Sequence, residues 1–213
     1  GLSRPAGEGE WGLADGHLLE GGETIAALDE MPVPGLHNAA NALAAHALCR
    51  EAGMDAAPLR RAILAFRGLP HRAQPVAEAR GIVFLDDSKG TNVGATVAAL
   101  EGLARPAVLI AGGDGKGQDF SPLAAAVKAK ARAVVVIGRD GPLVAAALAE
   151  AGVALVPAAT MAQAVETAFR LAKAGDAVLL SPACASLDMF SGYAERGRAF
   201  AEAARALAAR EGA

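Results

Sequence analysis

From about Ala73 onward, short apolar runs alternate with longer segments of helical periodicity, and this alternation constrains the fold more than any other feature of the chain. The apolar runs are continuous, which is typical of strands buried on both faces of a sheet. Strands that alternate with helices indicate an α/β fold, a Rossmann-like, mostly parallel sheet with helices on both faces. The predicted strands are 82–85, 107–111, 133–137, 153–156 and 177–180, and the predicted helices are 93–103, 122–130, 142–151, 161–172 and 187–210.

The first 72 residues have a different pattern. Residues 1–34 are rich in glycine and glutamate, with short strand-like pieces that cannot bury a core of their own. Helices are predicted at 38–51 and 58–66, the second ending before Gly68 and Pro70. We therefore predict a domain boundary between residues 72 and 73. Because the chain begins within a pattern and without Met, we expect it to be a piece of a longer protein.

Composition excludes several classes of function. The 213 residues are 53% hydrophobic with a mean hydropathy of +0.31, enough to bury a real core. The net charge is −3 and no basic tract occurs, so nucleic acid is not an expected partner. No apolar run is long enough to cross a bilayer, so no membrane role is expected. The two cysteines lie far apart and form no metal-ligand cluster, and we expect a reduced, cytoplasmic protein that acts as a monomer.

Three polar segments follow predicted strands, where ligands of parallel sheets bind. In residues 112–120, GGDGKGQDF, glycines after a strand deliver Lys116, a common way to bind an anion. A P-loop would need glycine at position 110 and Ser or Thr at position 117, where this chain has Ile110 and Gly117. Lys116 is therefore predicted to hold an anion other than a nucleoside triphosphate bound in P-loop fashion, and the alternative is a solvated loop lysine.

The other two segments are equally dense in polar groups. Residues 86–92, DDSKGTN, form a polar turn in which Thr91 or Asn92 could cap the next helix, but capping does not account for all seven residues. In residues 181–188, SPACASLD, Ser186 is predicted to cap the last helix, or else to form an anion site with the helix amides. Cys184, between alanines, is interpreted as a buried structural thiol.

Four further residues stand out by position. His71, beside Pro70, is assigned no catalytic role, whereas Arg72 could clamp a phosphate with its guanidinium. Asn41 lies inside a predicted helix, where asparagine is unfavourable, so its presence there needs a reason other than helix formation. Tyr193, in the first turns of the last predicted helix, could cover a ligand.

Five segments together resemble the Mur ligase family over residues 35–200, in the family's order. They are GLHNAANALAA (35–45), GLPHR (68–72), DDSKGTN (86–92), GGDGKGQDF (112–120) and SPACASLDMF (181–190). Within the family, DSKGTN resembles the members that add D-glutamate, because those that add diaminopimelate, lysine or D-Ala-D-Ala usually carry Asp-Tyr-Ala-His there. Gly90 departs from the alanine that is usual at its position.

The resemblance implies a role for each part of the chain. Family members have a UDP-sugar domain, a central ATP domain with a P-loop, and a C-terminal domain that brings the amino acid. Residues 1–72 would be the tail of the central domain and residues 73–213 the C-terminal domain. By resemblance, ATP would be contacted by Asn41, Arg72 and Asp87, and D-glutamate by Lys116, Thr91, Ser186 and Leu187, with Tyr193 beside it. The Mg²⁺ ligands would lie upstream of this chain.

The implied reaction is amide ligation in peptidoglycan precursor synthesis. ATP converts the carboxylate of UDP-N-acetylmuramoyl-L-alanine to an acyl phosphate and leaves as ADP. The amine of D-glutamate then attacks the acyl phosphate to form the amide, and phosphate leaves. The amino-acid domain would swing about a hinge at residues 69–75, and the chain alone is expected to show no ATP turnover. The alternatives are another Mur or folylpolyglutamate-type ligase, or a non-catalytic Rossmann-like module. The latter predicts GxGxxG after the first strand, where DDSKGTN stands.

Overall fold

The computed structural model describes residue 7, residues 9–33 and residues 35–212, and the chain divides into two compact units. The units are Gly1–Gly68 and Leu69–Ala213, so the division falls a few residues before the predicted boundary between 72 and 73. The assignment of the first unit to an ATP-binding domain stays a prediction.

The first unit contains a small antiparallel sheet and two helices. Its elements are β1 (Trp11–Ala14), β2 (His17–Glu20), β3 (Glu23–Ala27), α1 (Leu36–Glu51) and α2 (Ala56–Ala65). Leu18 and Ile25 of the sheet pack with Ala39 and Leu43 of α1. The strand-like pieces therefore bury their apolar side chains against a helix, which supplies the apolar surface that they lack by themselves.

The second unit is built on a six-stranded sheet. In chain order its strands are β4 (Gln74–Ala79), β5 (Ile82–Asp86), β6 (Ala107–Gly112), β7 (Ala131–Ile137), β8 (Ala154–Pro157) and β9 (Ala177–Leu180). Their spatial order is β4-β5-β9-β6-β7-β8, with every neighbouring pair parallel except β4 and β5. The predicted mostly parallel sheet is confirmed. The sequence analysis missed β4, whose polar sequence QPVAEA contains Pro75 and suits an exposed sheet edge.

Helices cover both faces of this sheet, as predicted. The helices are α3 (Val93–Glu101), α4 (Leu123–Lys130), α5 (Gly141–Ala147), α6 (Met161–Leu171) and α7 (Tyr193–Glu211). Along β6, Val108 and Ile110 enter the core beneath α6 and α7, and Leu109 and Ala111 enter the core beneath α3, α4 and α5. Full burial of a Val, Leu or Ile side chain stabilises a fold by roughly 1.5–3 kcal/mol, so the two cores hold the strands firmly in register.

The first turn of α3 begins as predicted, because the Asn92 side chain accepts a hydrogen bond from the Ala95 N–H at 2.9 Å. The last helix begins later than predicted. It starts at Tyr193 rather than 187, so the prediction that Ser186 caps it is wrong. The Ser186 carbonyl instead accepts the N–H groups of Met189 and Phe190, which closes a separate turn before the helix.

Within residues 9–33 and 35–212 no helix is long and apolar enough to cross a membrane.

Candidate functional site

Three polar loops meet at the carboxyl ends of adjacent strands of the second unit. Loop A (residues 87–92) follows β5, loop B (residues 113–122) follows β6, and loop C (residues 181–192) follows β9, which lies between those two strands. Because the strands are parallel, their carboxyl ends lie at one edge of the sheet, which is where open α/β sheets bind ligands.

Backbone hydrogen bonds join the loops directly. The Ala183 N–H of loop C donates to the Gly90 carbonyl of loop A at 2.9 Å. Asp114 of loop B and Ala185 of loop C exchange two hydrogen bonds, each of 2.9 Å. Three segments that are distant in sequence therefore form one surface.

Gln118 connects all three loops through its side-chain amide. Its nitrogen donates to the Ala183 carbonyl at 3.1 Å and to the Gly115 carbonyl at 3.0 Å. Its oxygen accepts the Val93 N–H at 3.2 Å, directly after loop A. No role was predicted for Gln118, because its partners lie up to 65 residues away along the chain.

Arg196 of α7 holds loops A and C together. Its role was not predicted from the sequence either. Its guanidinium, in a residue only 1% exposed, donates to the Ser88 hydroxyl at 3.0 Å, the Ser88 carbonyl at 2.9 Å and the Cys184 carbonyl at 3.0 Å. Burial lowers the pKa of Arg196 to about 10, so the group is still charged at neutral pH. Its neighbour Gly197 signals a close approach to the helix, because glycine inside a helix costs about 1 kcal/mol, but it does not identify Arg196 itself.

The group that approaches Gly197 is a histidine–aspartate pair. A Cβ atom on Gly197 would collide with His71 Nδ1. That nitrogen lies 2.7 Å from Asp86 Oδ2, and Asp86 Oδ1 accepts the Ser88 N–H at 2.9 Å. His71 thus ties the start of the second unit to β5 and loop A.

Three of the residues predicted to bind D-glutamate offer groups that the fold does not use. Lys116 is exposed, Thr91 is half-buried and Ser186 is 4% exposed. Across the residues that the structure describes, the Lys116 ammonium and the two hydroxyls make no hydrogen bond or ion pair within the chain. Each lies within two residues of a backbone hydrogen bond between loops, so the three are brought to one surface.

The other two predicted residues are Leu187, on loop C, and Tyr193, directly after it. Leu187 is 66% exposed on loop C. The Tyr193 ring packs edge-on against His71, with ring centroids 5.9 Å apart, and Lys89 Nζ lies 3.9 Å from its centroid. Its carbonyl accepts the Ser88 hydroxyl at 2.8 Å, so Tyr193 is fastened to loop A.

The residues predicted to contact ATP lie in both units, with Asn41 exposed on α1 of the first. In the second, Asp87 accepts the Ser181 hydroxyl at 2.7 Å and the Ala73 N–H at 3.2 Å, and burial raises its pKa. A carboxylate oxygen can accept a second hydrogen bond in addition to these. Arg72 is exposed and makes no ion pair among the described residues, so its guanidinium suits a phosphate.

Gly90 permits the close approach of Asp87 and Ser181. A Cβ atom there would lie 2.6 Å from Asp87 Oδ2 and 2.7 Å from Ser181 Oγ. The Asp87–Ser181 hydrogen bond would have to move to admit the alanine that is usual at this position in the resembled family. The Asp87–Ser181 hydrogen bond in this geometry therefore depends on glycine at position 90.

The cysteine of loop C is not an activated nucleophile. Cys184 is fully buried, and burial raises the pKa of its thiol to about 12, as expected of a structural thiol. No group of three or more His, Cys, Asp or Glu side chains within residues 9–33 and 35–212 could hold a metal ion.

The family model described as "Mur ligase, glutamate ligase domain" matches residues 71–184. The chain is similar to proteins named UDP-N-acetylmuramoylalanine–D-glutamate ligase from several bacteria. It is 54% identical to the protein of Nitrosospira multiformis over 99% of the chain and 46% of the relative, and 57% identical to that of Aromatoleum aromaticum over 97% and 46%. The identity to the protein of Ralstonia nicotianae is 60% over 86% of the chain and 37% of the relative. The chain thus spans less than half the length of these curated relatives.

Solved structures share the fold at low sequence identity. A folylpolyglutamate synthase of Mycobacterium tuberculosis complexed with ADP matches with a TM-score of 0.66 and 21% identity, over 93% of this chain and 46% of that one. The UDP-N-acetylmuramate-alanine ligase of Thermotoga maritima matches with a TM-score of 0.64 and 22% identity, over 90% and 43%. At this level of identity the likeness establishes the fold alone.

Proposed function

Since the chain belongs to the Mur ligase family, we propose that it forms the amino-acid-binding part of an ATP-dependent ligase that adds D-glutamate to UDP-N-acetylmuramoyl-L-alanine in peptidoglycan precursor synthesis. The relatives that share more than half of its residues carry that enzyme's name. Asp-Ser-Lys-Gly-Thr-Asn after β5 supports the choice of D-glutamate within the family.

The observation that carries the proposal is the unused ammonium of Lys116 with the unused hydroxyls of Thr91 and Ser186 at one edge of the sheet. D-Glutamate offers two carboxylates, which accept hydrogen bonds from such donors. Hydrogen bonds to charged groups contribute roughly 1.5–3 kcal/mol each, so these groups together could hold a small dicarboxylate.

The chain's own contribution to the reaction is positioning. ATP would supply the phosphoryl group that activates the sugar-linked carboxylate as an acyl phosphate. Loops A, B and C would hold both carboxylates of D-glutamate so that its amine remains free to attack. Holding a nucleophile in the reactive orientation removes much of the entropic barrier of a bimolecular step.

ATP is proposed to contact two residues of this chain, Arg72 and Asp87, in the second unit. The exposed Arg72 guanidinium and the acceptor positions of Asp87 fit a phosphate and a ribose hydroxyl, which supports their proposed contact with ATP. That the Mg²⁺ ligands lie upstream of this chain stays a prediction. A cytoplasmic location and a monomeric state stay predictions as well.

The test is the amino acid that the full-length protein incorporates. With ATP, one radiolabelled amino acid at a time, and either UDP-N-acetylmuramoyl-L-alanine or a folate as the acceptor, it is expected to ligate D-glutamate to the UDP-sugar acceptor. L-Glutamate is the matched control, because it carries the same groups with the opposite stereochemistry. Preference for L-lysine or diaminopimelate would reject the proposed substrate, and incorporation into a folate acceptor would reject the proposed branch of the superfamily.

A further inference from the structure

A fourth strand of the sheet ends beside loop B, in a turn to which the sequence analysis assigned no role. This turn, residues 138–140, follows β7 and presents Arg139, whose side chain is 61% exposed. Arg139 Nη2 lies 2.5 Å from Asp114 Oδ1, and its Nε and Nη2 each lie 3.4 Å from an oxygen of Asp140. The Arg139 backbone N–H donates to Asp188 Oδ2 of loop C at 2.8 Å. The guanidinium therefore contacts two carboxylates, and the backbone of the same residue holds a third.

Two of these carboxylates hold the backbone that leads into Lys116. Asp114 Oδ1 accepts the Lys116 N–H at 3.0 Å, and Asp140 Oδ2 accepts the Gly115 N–H at 2.7 Å. Lys116 has φ of 50°, in the left-handed region that residues other than glycine seldom adopt. The lysine backbone is thus held by side chains that Arg139 in turn holds together.

Asp140 serves loop B rather than its own helix. It is the N-cap residue of α5, a position where aspartate usually accepts a hydrogen bond from the first turn. Here the side chain makes no capping hydrogen bond and reaches Gly115 instead, 25 residues earlier in the chain. Its pKa is lowered by the Gly115 N–H and by Arg139, which indicates that both contacts favour the charged carboxylate.

We propose that Arg139 is a positioning residue for the amino-acid substrate: it joins Asp114 to Asp140, fixes the backbone of Lys116, and neutralises carboxylates that would otherwise repel a dicarboxylate. This inference rests on the proposed function. Exposed ion pairs contribute little to folding, so the effect of Arg139 is expected on substrate binding rather than on stability.

Removing the charge of Arg139 is expected to weaken the binding of an anionic substrate. Asp114, Asp140 and Asp188 lie around Arg139, and Asp188 Oδ1 is buried without a hydrogen-bond partner among the described residues. Without the guanidinium, the anion site would face these carboxylates with one less positive charge. The carboxylates are partly exposed to solvent, so salt is expected to screen their repulsion of the substrate.

The experiment compares Arg139→Ala, Arg139→Lys and Arg210→Ala in the full-length ligase. Arg210 is the matched control, because it is 63% exposed and pairs with Glu166 at 2.7 Å on α6, outside loops A, B and C. Arg139→Ala is expected to raise KM for D-glutamate by about tenfold, the factor that corresponds to about 1.4 kcal/mol, and to leave KM for ATP within about twofold. Arg139→Lys is expected to restore part of the affinity, because it keeps the charge without the planar fork.

The readouts separate this inference from the proposed function and from misfolding. A wild-type protein that ligates no D-glutamate would reject both. If the wild type ligates D-glutamate, an unchanged D-glutamate KM in Arg139→Ala, or an equal rise in the ATP KM, would overturn the role of Arg139. Thermal unfolding that matches that of Arg210→Ala and a KM difference from wild type that shrinks at high salt would support it.

Discussion

Replacing Lys116 by alanine in the full-length ligase is expected to raise KM for D-glutamate by about tenfold to 150-fold, because one charge-assisted hydrogen bond contributes roughly 1.5–3 kcal/mol. KM for ATP is expected to change little. The Lys116 side chain is exposed and makes no hydrogen bond or ion pair with any other described residue, so its removal takes nothing from the fold. The substitution should therefore weaken the binding of D-glutamate rather than the fold.

The control for Lys116→Ala is Lys128→Ala. Lys128 is an exposed lysine of α4, so Lys128→Ala removes the same charge from the same unit without altering loop B. Steady-state kinetics with D-glutamate and ATP varied separately would measure both effects. An unchanged D-glutamate KM in Lys116→Ala would remove Lys116 from the site, and an equal effect in both variants would reduce its role to general electrostatics.

Replacing Arg196 by alanine in this chain is expected to lower the free energy of unfolding of the second unit by about 3–5 kcal/mol. The guanidinium is buried and donates three hydrogen bonds, two to Ser88 and one to Cys184. Alanine would leave these buried acceptors without partners and would open a cavity between α7 and loops A and C. Unsatisfied buried polar groups and cavities are the usual causes of large destabilisation.

Urea denaturation with separate probes for the two units would measure this loss. Trp11, the only tryptophan, lies in the first unit, and Tyr193, the only tyrosine, lies in the second. The matched control is Arg205→Ala on the same helix, because Arg205 is exposed and makes one backbone hydrogen bond, of 3.3 Å to Val76. Arg205→Ala is expected to cost less than about 1 kcal/mol. An equally small loss for Arg196→Ala would show that the buried guanidinium does not hold the loops together.

The periodic parts of the second unit could be predicted, because burial on both faces dictates the composition of the central strands. Runs such as residues 107–111 and 133–137 can be stable only inside a covered sheet. The edge strand β4 could not be predicted in this way. Its polar sequence carries no such constraint, and its pairing with β5 depends on tertiary structure.

Candidate site residues could be predicted where the local sequence pattern marks them. They could not be predicted where their role depends on partners that are distant along the chain. Lys116 stands out because glycines flank it after a strand. Gln118, Arg139 and Arg196 have no such local mark, and each obtains its role from side-chain contacts with other loops. Ser186 was assigned a helix cap because a serine before an apolar run usually caps, whereas here an intervening turn delays the helix to Tyr193.

The most direct test of the central claim is a crystal structure of the full-length ligase with D-glutamate bound. A carboxylate oxygen of the substrate is expected about 2.7–3.2 Å from Lys116 Nζ, with the hydroxyl of Thr91 or Ser186 donating to a substrate carboxylate. D-Glutamate bound with both carboxylates away from loops A, B and C would contradict the account.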